Sequence, residues 1–186
     1  MKRFIVVLLA VLLFALPVMA QEEDNPVVLT WEGDIEDIFV KEGLSGTIYD
    51  INDLGIKFLV PEGLEPTEVS EADMEENGVF AAFLSEDGKK QIIVSFRDLE
   101  VDTLGDVALL ARDSIGEENF HYGGFYRFNG LNGIVFMDAN RDQLTAAIGT
   151  TEPQHFIQIT MLPISNEEMN AFSGFVLGSI QPYSAE

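Results

Sequence analysis

Cysteine is absent from the 186-residue chain. Its absence excludes disulfide bonds, thiolate metal sites and a lipid-modified N-terminal cysteine. A domain of this length buries about 70% of the surface of its unfolded chain, which is enough for a hydrophobic core without covalent cross-links. The sequence therefore predicts one domain that folds on its own core.

Basic residues are scarce: ten Lys and Arg stand against 32 Asp and Glu, and the formal net charge is −22. Proteins bind phosphate backbones and anionic lipid surfaces through Lys and Arg, so the charge argues against nucleic acid as a partner. An unidentified protein or a cationic ligand, including Ca²⁺, fits this charge. The other interpretation, which the sequence leaves open, is that the charge only keeps the protein soluble and monomeric.

Long apolar runs are missing except for one near the N-terminus, from Phe4 to Leu16. Lys2 and Arg3 precede this run, and Val18 and Ala20 follow it at the positions that a signal peptidase reads. The run is shorter than the roughly 20 residues that span a bilayer. Residues 1–20 are therefore predicted to be a signal peptide that is cleaved before Gln21.

Cleavage would leave eight basic and 32 acidic residues, a formal charge of −24. Residues 21–26 are then an acidic disordered leader, and residues 27–186 form a single domain without a membrane span. We expect an extracytoplasmic protein, periplasmic or secreted. Export without disulfides is ordinary in bacteria, so the source is expected to be bacterial.

Catalytic motifs are also missing. The chain has no Gly-x-Ser-x-Gly, no His-Glu-x-x-His and no Gly-x-Gly-x-x-Gly after a strand. A carboxylate-based hydrolase is the weakest interpretation, because any acidic protein offers pairs of carboxylates. The sequence favours a protein that is not an enzyme.

The first half of the chain reads mainly as strands and turns. Residues 34–40 fit a short helix or a strand, and the acidic stretch 65–76 fits at most a short solvated helix, since Glu71 and Glu75 repel at helical spacing. Asp87-Gly88 predicts a tight hairpin turn. The strand candidates are 27–31, 46–49 and 55–60 around an Asn52-Asp53 turn, then 78–85 and 91–97.

The second half contains two helices and a run of strands. Thr103 to Ile115 is amphipathic, begins with Thr103 and Asp106 as a capping box, and stops at Gly116. Residues 166–180 form the second helix, with Ser165 and Glu168 as its capping box. The strand candidates are 125–128, 133–138, 143–149 and 155–161, joined by short polar connections at Asn129-Gly130, Asn140-Arg141 and 151–153.

Short connections between neighbouring strands favour an antiparallel meander. The predicted fold class is therefore α+β, an antiparallel β-sheet meander with helices packed on it.

The order of these elements resembles the PsbP-like α/β/α sandwich, a fold that a nuclear Ran-binding protein also uses. The resemblance covers roughly residues 46 to 181, and Leu64 stands where that family often has Trp. It implies non-catalytic binding or assembly roles and transfers no ligand or site residue. The segments that carry it are Tyr49-Asp50, Gly55 to Gly63, Asp87-Gly88, Leu104 to Val107, Asn129 to Gly133 and Gly178 to Ile180.

An aromatic stretch broken by Gly123 and Gly124 is a candidate recognition surface on a loop, because exposed aromatic side chains near glycines suit binding. The alternative is that these rings only plug the edge of the sheet. His155 shares strand parity with Ile157 and is expected to be a half-buried residue at a strand end. The candidate surface consists of Phe120, His121, Tyr122, Phe125 and Tyr126.

Two carboxylate groupings invite a test for Ca²⁺. The stretch Asp138 to Asp142 begins like a calcium loop, but the turn glycine and the closing glutamate are missing, so a hairpin turn is favoured. Asp98, Glu100 and Asp102 would share one face if their segment were a strand, and they are weak candidates for a metal site. No other cofactor is expected.

Overall fold

The computed structural model describes residues 26–29, 45–51, 55–101, 103–149 and 155–182. Several predictions fall outside these residues: the signal peptide, nearly all of the acidic leader, the element at 34–40, the Asn52-Asp53 turn and the connection at 151–153. Asp102 lies outside them as well.

The large sheet has eight strands in the order β1-β7-β8-β9-β10-β6-β5-β4. All of its pairings are antiparallel except that of β1 with β7, which is parallel. The predicted meander is confirmed as β7 to β10. The strands are β1 (Val27–Leu29), β4 (Leu64–Thr67), β5 (Val79–Ser85), β6 (Gln91–Asp98), β7 (Phe120–Phe128), β8 (Leu131–Asp138), β9 (Gln143–Gly149) and β10 (His155–Leu162).

A smaller sheet packs over one face of the large one. It contains β2 (Gly46–Ile51), β3 (Ile56–Pro61) and β11 (Gln181–Pro182), in the order β11-β3-β2. The helix α3 (Glu167–Ser179) lies beside it, and its Met169, Val176 and Leu177 are almost fully buried. The main core lies between this layer and the large sheet, where apolar residues from both sides remove their surface from water.

The opposite face of the large sheet is covered in part by α2 (Leu104–Ile115). Val107 of this helix packs with Ile134 and Phe136 of β8. Thr103 caps the helix as predicted, since its side chain accepts a hydrogen bond from the Asp106 backbone N–H, and Gly116 ends it. With α2 on one face and α3 and the small sheet on the other, the α+β sandwich predicted from the sequence is confirmed.

The hairpin around Asp87-Gly88 is also confirmed, with β5 and β6 paired in the predicted place. Asp87 Oδ1 accepts hydrogen bonds from Ser85 Oγ at 2.7 Å and from the Lys89 backbone N at 3.1 Å. These two bonds, and Lys89 itself, lower the pKa of Asp87 to about 2. The carboxylate thus stays ionised and holds the turn over the ordinary pH range.

The acidic stretch contains a strand as well as a helix, and the strand was not predicted. Its first residues form β4, while α1 (Glu71–Asn77) is the short helix expected from the sequence, with no buried residue. Leu64 explains β4: it is 5% exposed and anchors the strand in the core, whereas Glu65, Pro66 and Thr67 are exposed. One apolar residue thus decides the position of an otherwise polar strand.

The predicted cap of the C-terminal helix was wrong by one residue. Asn166 is the N-cap, and its side chain accepts a hydrogen bond from the Met169 backbone N at 3.0 Å. Ser165 instead binds the β8–β9 turn, because its backbone N and its Oγ both donate to the carboxylate of Asp142. Because Ser165 is hydrogen-bonded to Asp142, it does not cap the helix, and the next residue, Asn166, does so.

Ser179, two residues before β11, extends the hydrogen-bond ladder between β11 and β3. Ser179 Oγ accepts a hydrogen bond from the Leu59 backbone N at 2.8 Å and donates one to the Val176 carbonyl at 2.8 Å. Both Ser179 and Leu59 are buried. The hydroxyl therefore takes the place of a strand carbonyl and ties α3 to β3.

Replacing Ser179 by alanine is expected to lower the free energy of unfolding by about 1–3 kcal/mol, because the buried Leu59 N–H loses its acceptor. Ser173→Ala is the matched control: Ser173 is buried in the same helix, but its Oγ donates to the Asn170 carbonyl within that helix. Urea unfolding of both variants measures the difference. Equal losses in the two variants would contradict this role of Ser179.

Candidate binding groove

A groove of about 560 Å³ lies between the two sheets at their shared edge. It is bordered by β2, by the Pro61-Glu62-Gly63 turn that carries the chain from the small sheet into the large one, and by β4. Its volume falls within the range of about 300–1,000 Å³ typical of ligand pockets. We refer to this feature as the β2–β4 groove.

The floor of the β2–β4 groove is apolar. Tyr49 packs edge-to-face against Phe83 with ring centroids 4.9 Å apart, and Val60 and Leu64 line the groove beside them. Tyr49 also packs edge-to-face on the buried Phe58 at 5.9 Å. Rings held on both sides by neighbouring rings form a rigid surface, which lowers the entropy cost of binding.

The rim of the β2–β4 groove is acidic. Glu62 and Glu65 are exposed at its border, and no Lys, Arg or His is among the described residues that line it. The groove thus combines an apolar floor with two carboxylates that lack a basic neighbour in its lining. It suits a ligand that carries both apolar and cationic groups.

The edges of both sheets border this groove. Within the described ranges, β2 pairs only with β3, and β4 pairs only with β5. Edge strands present unpaired backbone N–H and C=O groups to any extended chain that approaches. Pro66 and Glu65 protect β4 in the ways that edge strands commonly use, so β2 is the more open of the two edges.

A second groove, of about 390 Å³, lies on the other side of the same turn. Phe172 and Phe175 of α3 line it together with Leu59. Glu168 also lines it, and the Lys90 ammonium lies 2.7 Å from this carboxylate and 5.8 Å from the centre of the Phe172 ring. Glu168 therefore has a cationic partner, whereas Glu62, which borders both grooves, has no Lys, Arg or His beside it in the described lining of either groove.

The structure places the predicted aromatic surface within β7, not on a loop, and divides it between two faces. Phe120 and Tyr122 lie half-buried on the α2 side, whereas His121 is exposed. Phe125 and Tyr126 are only 8% and 2% exposed and belong to the two cores, so they offer no surface to a partner. The two glycines, Gly123 and Gly124, lie at a β-bulge, where the register between β7 and β8 shifts between Tyr122 and Gly124.

Burial raises the pKa of Tyr126 to about 12, with a smaller contribution from Tyr122. An acid whose pKa is raised in the native state stabilises the fold below its unfolded value and loses this contribution as the pH rises. We expect the stability of the protein relative to Tyr126→Phe to fall by about 2 kcal/mol between pH 10 and pH 12. Urea unfolding of both proteins at a series of pH values measures this fall. A difference in stability between them that does not change with pH would contradict the prediction.

The carboxylates proposed for Ca²⁺ are placed only in part. β6 ends at Asp98, so the strand alternation that would align Asp98 with Glu100 does not continue, and Asp102 is not described. Among the described residues, no group of three or more His, Asp or Glu side chains is placed to hold a metal ion. The three-carboxylate site stays a prediction.

The favoured reading of the Asp138 stretch, a hairpin turn, is confirmed. Asp138 Oδ1 accepts hydrogen bonds from the backbone N of Asn140 and Arg141 at 3.0 and 3.1 Å. His155 is half-buried at the start of β10, as expected, with its ring 5.3 Å from that of Phe96. Neither feature belongs to the β2–β4 groove.

No protein-family model matches the chain, and no curated protein shows significant similarity to it. Among solved structures, cyanobacterial PsbP (CyanoP) from Synechocystis superposes with a TM-score of 0.51, over 75% of this chain and 94% of that protein, at 17% identity. The fold is PsbP-like. At this identity the likeness concerns the fold alone.

Two further solved structures are similar to the chain at lower TM-scores. One is the Ran-binding protein Mog1p of Saccharomyces cerevisiae, with a TM-score of 0.44, 11% identity and coverage of 75% of this chain and 96% of its own. The other is LpqN, involved in cell envelope biogenesis of Mycobacterium tuberculosis, with a TM-score of 0.41, 15% identity and coverage of 83% and 100%. In the part of the chain that is described, no helix of this PsbP-like protein is long and apolar enough to cross a membrane.

Sequence reasoning missed the β2–β4 groove, although the turn Pro61-Glu62-Gly63 belongs to the segment Gly55 to Gly63 that carries the resemblance. The groove exists because this turn passes from one sheet to the other, and only the tertiary structure shows that passage. The available signal was the pair of exposed carboxylates, Glu62 and Glu65, on either side of the buried Leu64.

Proposed function

We propose that this PsbP-like protein is an exported, non-enzymatic binding module whose partner is a protein with a cationic surface. The observation that carries the proposal is the β2–β4 groove, with its apolar floor and two carboxylates that have no Lys, Arg or His beside them in the described part of its lining. A formal charge of −22 favours the approach of cationic partners over a long range. The fold supports the proposal through the resemblance, which implies binding or assembly roles.

Selection from a displayed library of random peptides tests the binding part of the proposal. The protein is purified as the expressing bacterium processes it and is immobilised beside an unrelated protein of similar negative charge. We expect enriched peptides that contain both apolar residues and Lys or Arg, and retention at physiological salt. Enrichment no greater than that on the charge-matched protein would overturn the proposal.

Export is tested separately by expression of the full chain in a bacterium, followed by cell fractionation and N-terminal sequencing. The prediction is an extracytoplasmic product that begins at Gln21. A product that stays in the cytoplasm with Met1 in place would refute export and leave the binding results untouched.

Melting curves with EDTA, Ca²⁺ and Mg²⁺ at matched ionic strength examine the alternative, an acidic protein that binds divalent cations. A ligand that binds the native state raises its stability by about 2.7 kcal/mol at a hundredfold excess over Kd. The proposal expects small and equal shifts with the two ions. A shift specific to Ca²⁺ would favour the alternative and direct attention to Asp98, Glu100 and Asp102.

A further inference from the structure

Among the described residues, no strand pairs with the edge of β2 that faces away from β3, and a defined set of backbone groups lies along this edge. The Glu62 N–H donates to the Ser45 carbonyl at 2.9 Å, which makes these two residues a hydrogen-bonded pair of the antiparallel ladder. Since such pairs alternate along the ladder, the N–H and C=O groups of Gly46, Ile48 and Asp50 turn away from β3. These groups can pair with one further extended strand.

The side chains on the inner side of β2 lie towards the large sheet. Tyr49 contacts Phe83 there, and Ile51 is buried in the main core. An extended chain on the edge of β2 would place alternate side chains over the same apolar floor, because successive side chains of a strand point to opposite faces. The groove therefore offers backbone groups for affinity and an apolar floor for selection, the two parts of recognition by strand addition.

Charge complementarity defines the occupant. Glu62 and Glu65 border the groove, while the second groove beyond the turn has its Glu168 paired with Lys90. A segment whose groove-facing side chains include Lys or Arg gains from the charges of Glu62 and Glu65, and an acidic segment would be repelled.

We propose that the β2–β4 groove binds an extended, Lys- or Arg-bearing segment of a partner protein, which adds a strand to the open edge of β2. The proposal rests on the proposed function and names its site and the chemistry of its ligand. The segment places an apolar side chain on Tyr49, whose ring packs on the buried Phe83, and its cationic side chains on the same face, beside Glu62 and Glu65.

The probe for this proposal is the fluorescent peptide acetyl-Lys-Thr-Val-Thr-Val-Thr-Lys-amide, which as a strand presents both Val and both Lys on one face, and its charge-reversed analogue has Glu in place of Lys. Binding is measured by fluorescence anisotropy with the purified protein at two salt concentrations. We expect the Lys peptide to bind, more tightly at low salt, and the Glu peptide not to bind. Failure of the Lys peptide to bind at either salt concentration would overturn the proposal.

Ile48→Pro removes one outward N–H of β2, and proline is tolerated at such edge positions because that N–H has no partner within the sheet. We expect it to weaken binding of the Lys peptide about five- to tenfold. Ile48→Val is the control, since it keeps the N–H and a β-branched side chain. Equal binding by wild type and Ile48→Pro would refute strand addition to β2.

A pair of double variants separates the groove from general charge attraction, and neither replaces a buried residue. Glu62→Gln with Glu65→Gln removes two charges at the groove, and Glu75→Gln with Glu76→Gln removes two exposed charges on α1. The first pair is expected to weaken binding and to flatten its salt dependence, and the second to change it little. Equal effects would overturn the groove as the site.

The outcomes distinguish this proposal from the proposed function. Library peptides that bind equally to wild type, Ile48→Pro and the groove double variant would leave the binding module in place and refute the β2–β4 groove. Absence of enriched peptides would remove the proposed function itself. Self-association that the Lys peptide competes away would show that a second copy occupies the groove, which contradicts a foreign partner.

Discussion

Replacement of Phe58 by alanine is expected to lower the free energy of unfolding by about 3–5 kcal/mol. Phe58 is 0% exposed in the small sheet, and its ring lies 6.4 Å from that of Phe83 in the large sheet, at an interplanar angle of 90°. With Tyr49 it forms a cluster of three rings that joins the two sheets. Alanine removes one of the three rings and leaves a cavity between the sheets.

Urea unfolding monitored by far-UV circular dichroism measures this loss, with the slope m as a check on two-state behaviour. Phe58→Leu is the control, because it keeps most of the apolar volume and should cost much less. Since Tyr49 packs on Phe58, the alanine variant should also bind the Lys peptide more weakly. A stability loss below about 1 kcal/mol would mean that the site collapses around the smaller side chain, contrary to the tight packing described.

Gly78→Ala is the second substitution with a large expected effect, about 2–5 kcal/mol. Gly78 ends α1 with φ +59°, in the left-handed region, and a Cβ there would lie 2.2 Å from the Phe96 carbonyl oxygen. That oxygen belongs to the backbone of β6, next to the place where the Phe96 N–H donates to the Gly78 carbonyl at 2.9 Å. Alanine thus carries both a conformational cost and a collision with an immobile atom.

Gly88→Ala separates the two costs. Gly88 has a similar φ of +68°, but a Cβ there meets nothing within 4 Å. Gly88→Ala should lower the free energy of unfolding only by the conformational cost, about 1–2 kcal/mol, measured in the same urea titration. If the two variants lose the same stability, the contact with Phe96 adds nothing to the cost of Gly78→Ala, which would contradict this explanation.

The elements that the sequence predicts well are those with local causes. Asp87-Gly88 determines its turn through hydrogen bonds within a few residues, and Thr103 caps α2 through Asp106, three positions away. Periodicity of apolar residues then places the faces of α2 and β6. These interactions join residues that lie close together in the sequence, so no tertiary information is needed to find them.

The elements that the sequence did not predict depend on distant partners. Ser165 fits a capping box, but Asp142, 23 positions earlier, binds it. Leu64 begins a strand only because its side chain is buried in the core against the large sheet. The β2–β4 groove requires the stacking of two sheets, and Phe125 and Tyr126 look like exposed aromatics until the cores on both faces of β7 are known.

The bond between Leu59 and Ser179 joins residues 120 positions apart. A ribosome or a translocation pore delivers the chain from its N-terminus, so β3 emerges long before the hydroxyl and the strand β11 that complete its outer side. The small sheet, and with it the edge of β2, therefore closes last, when residues 179–182 arrive. A chain interrupted before Ser179 would carry the edge of β2 on an unfinished sheet, so the last residues of the described fold determine when the small sheet is complete.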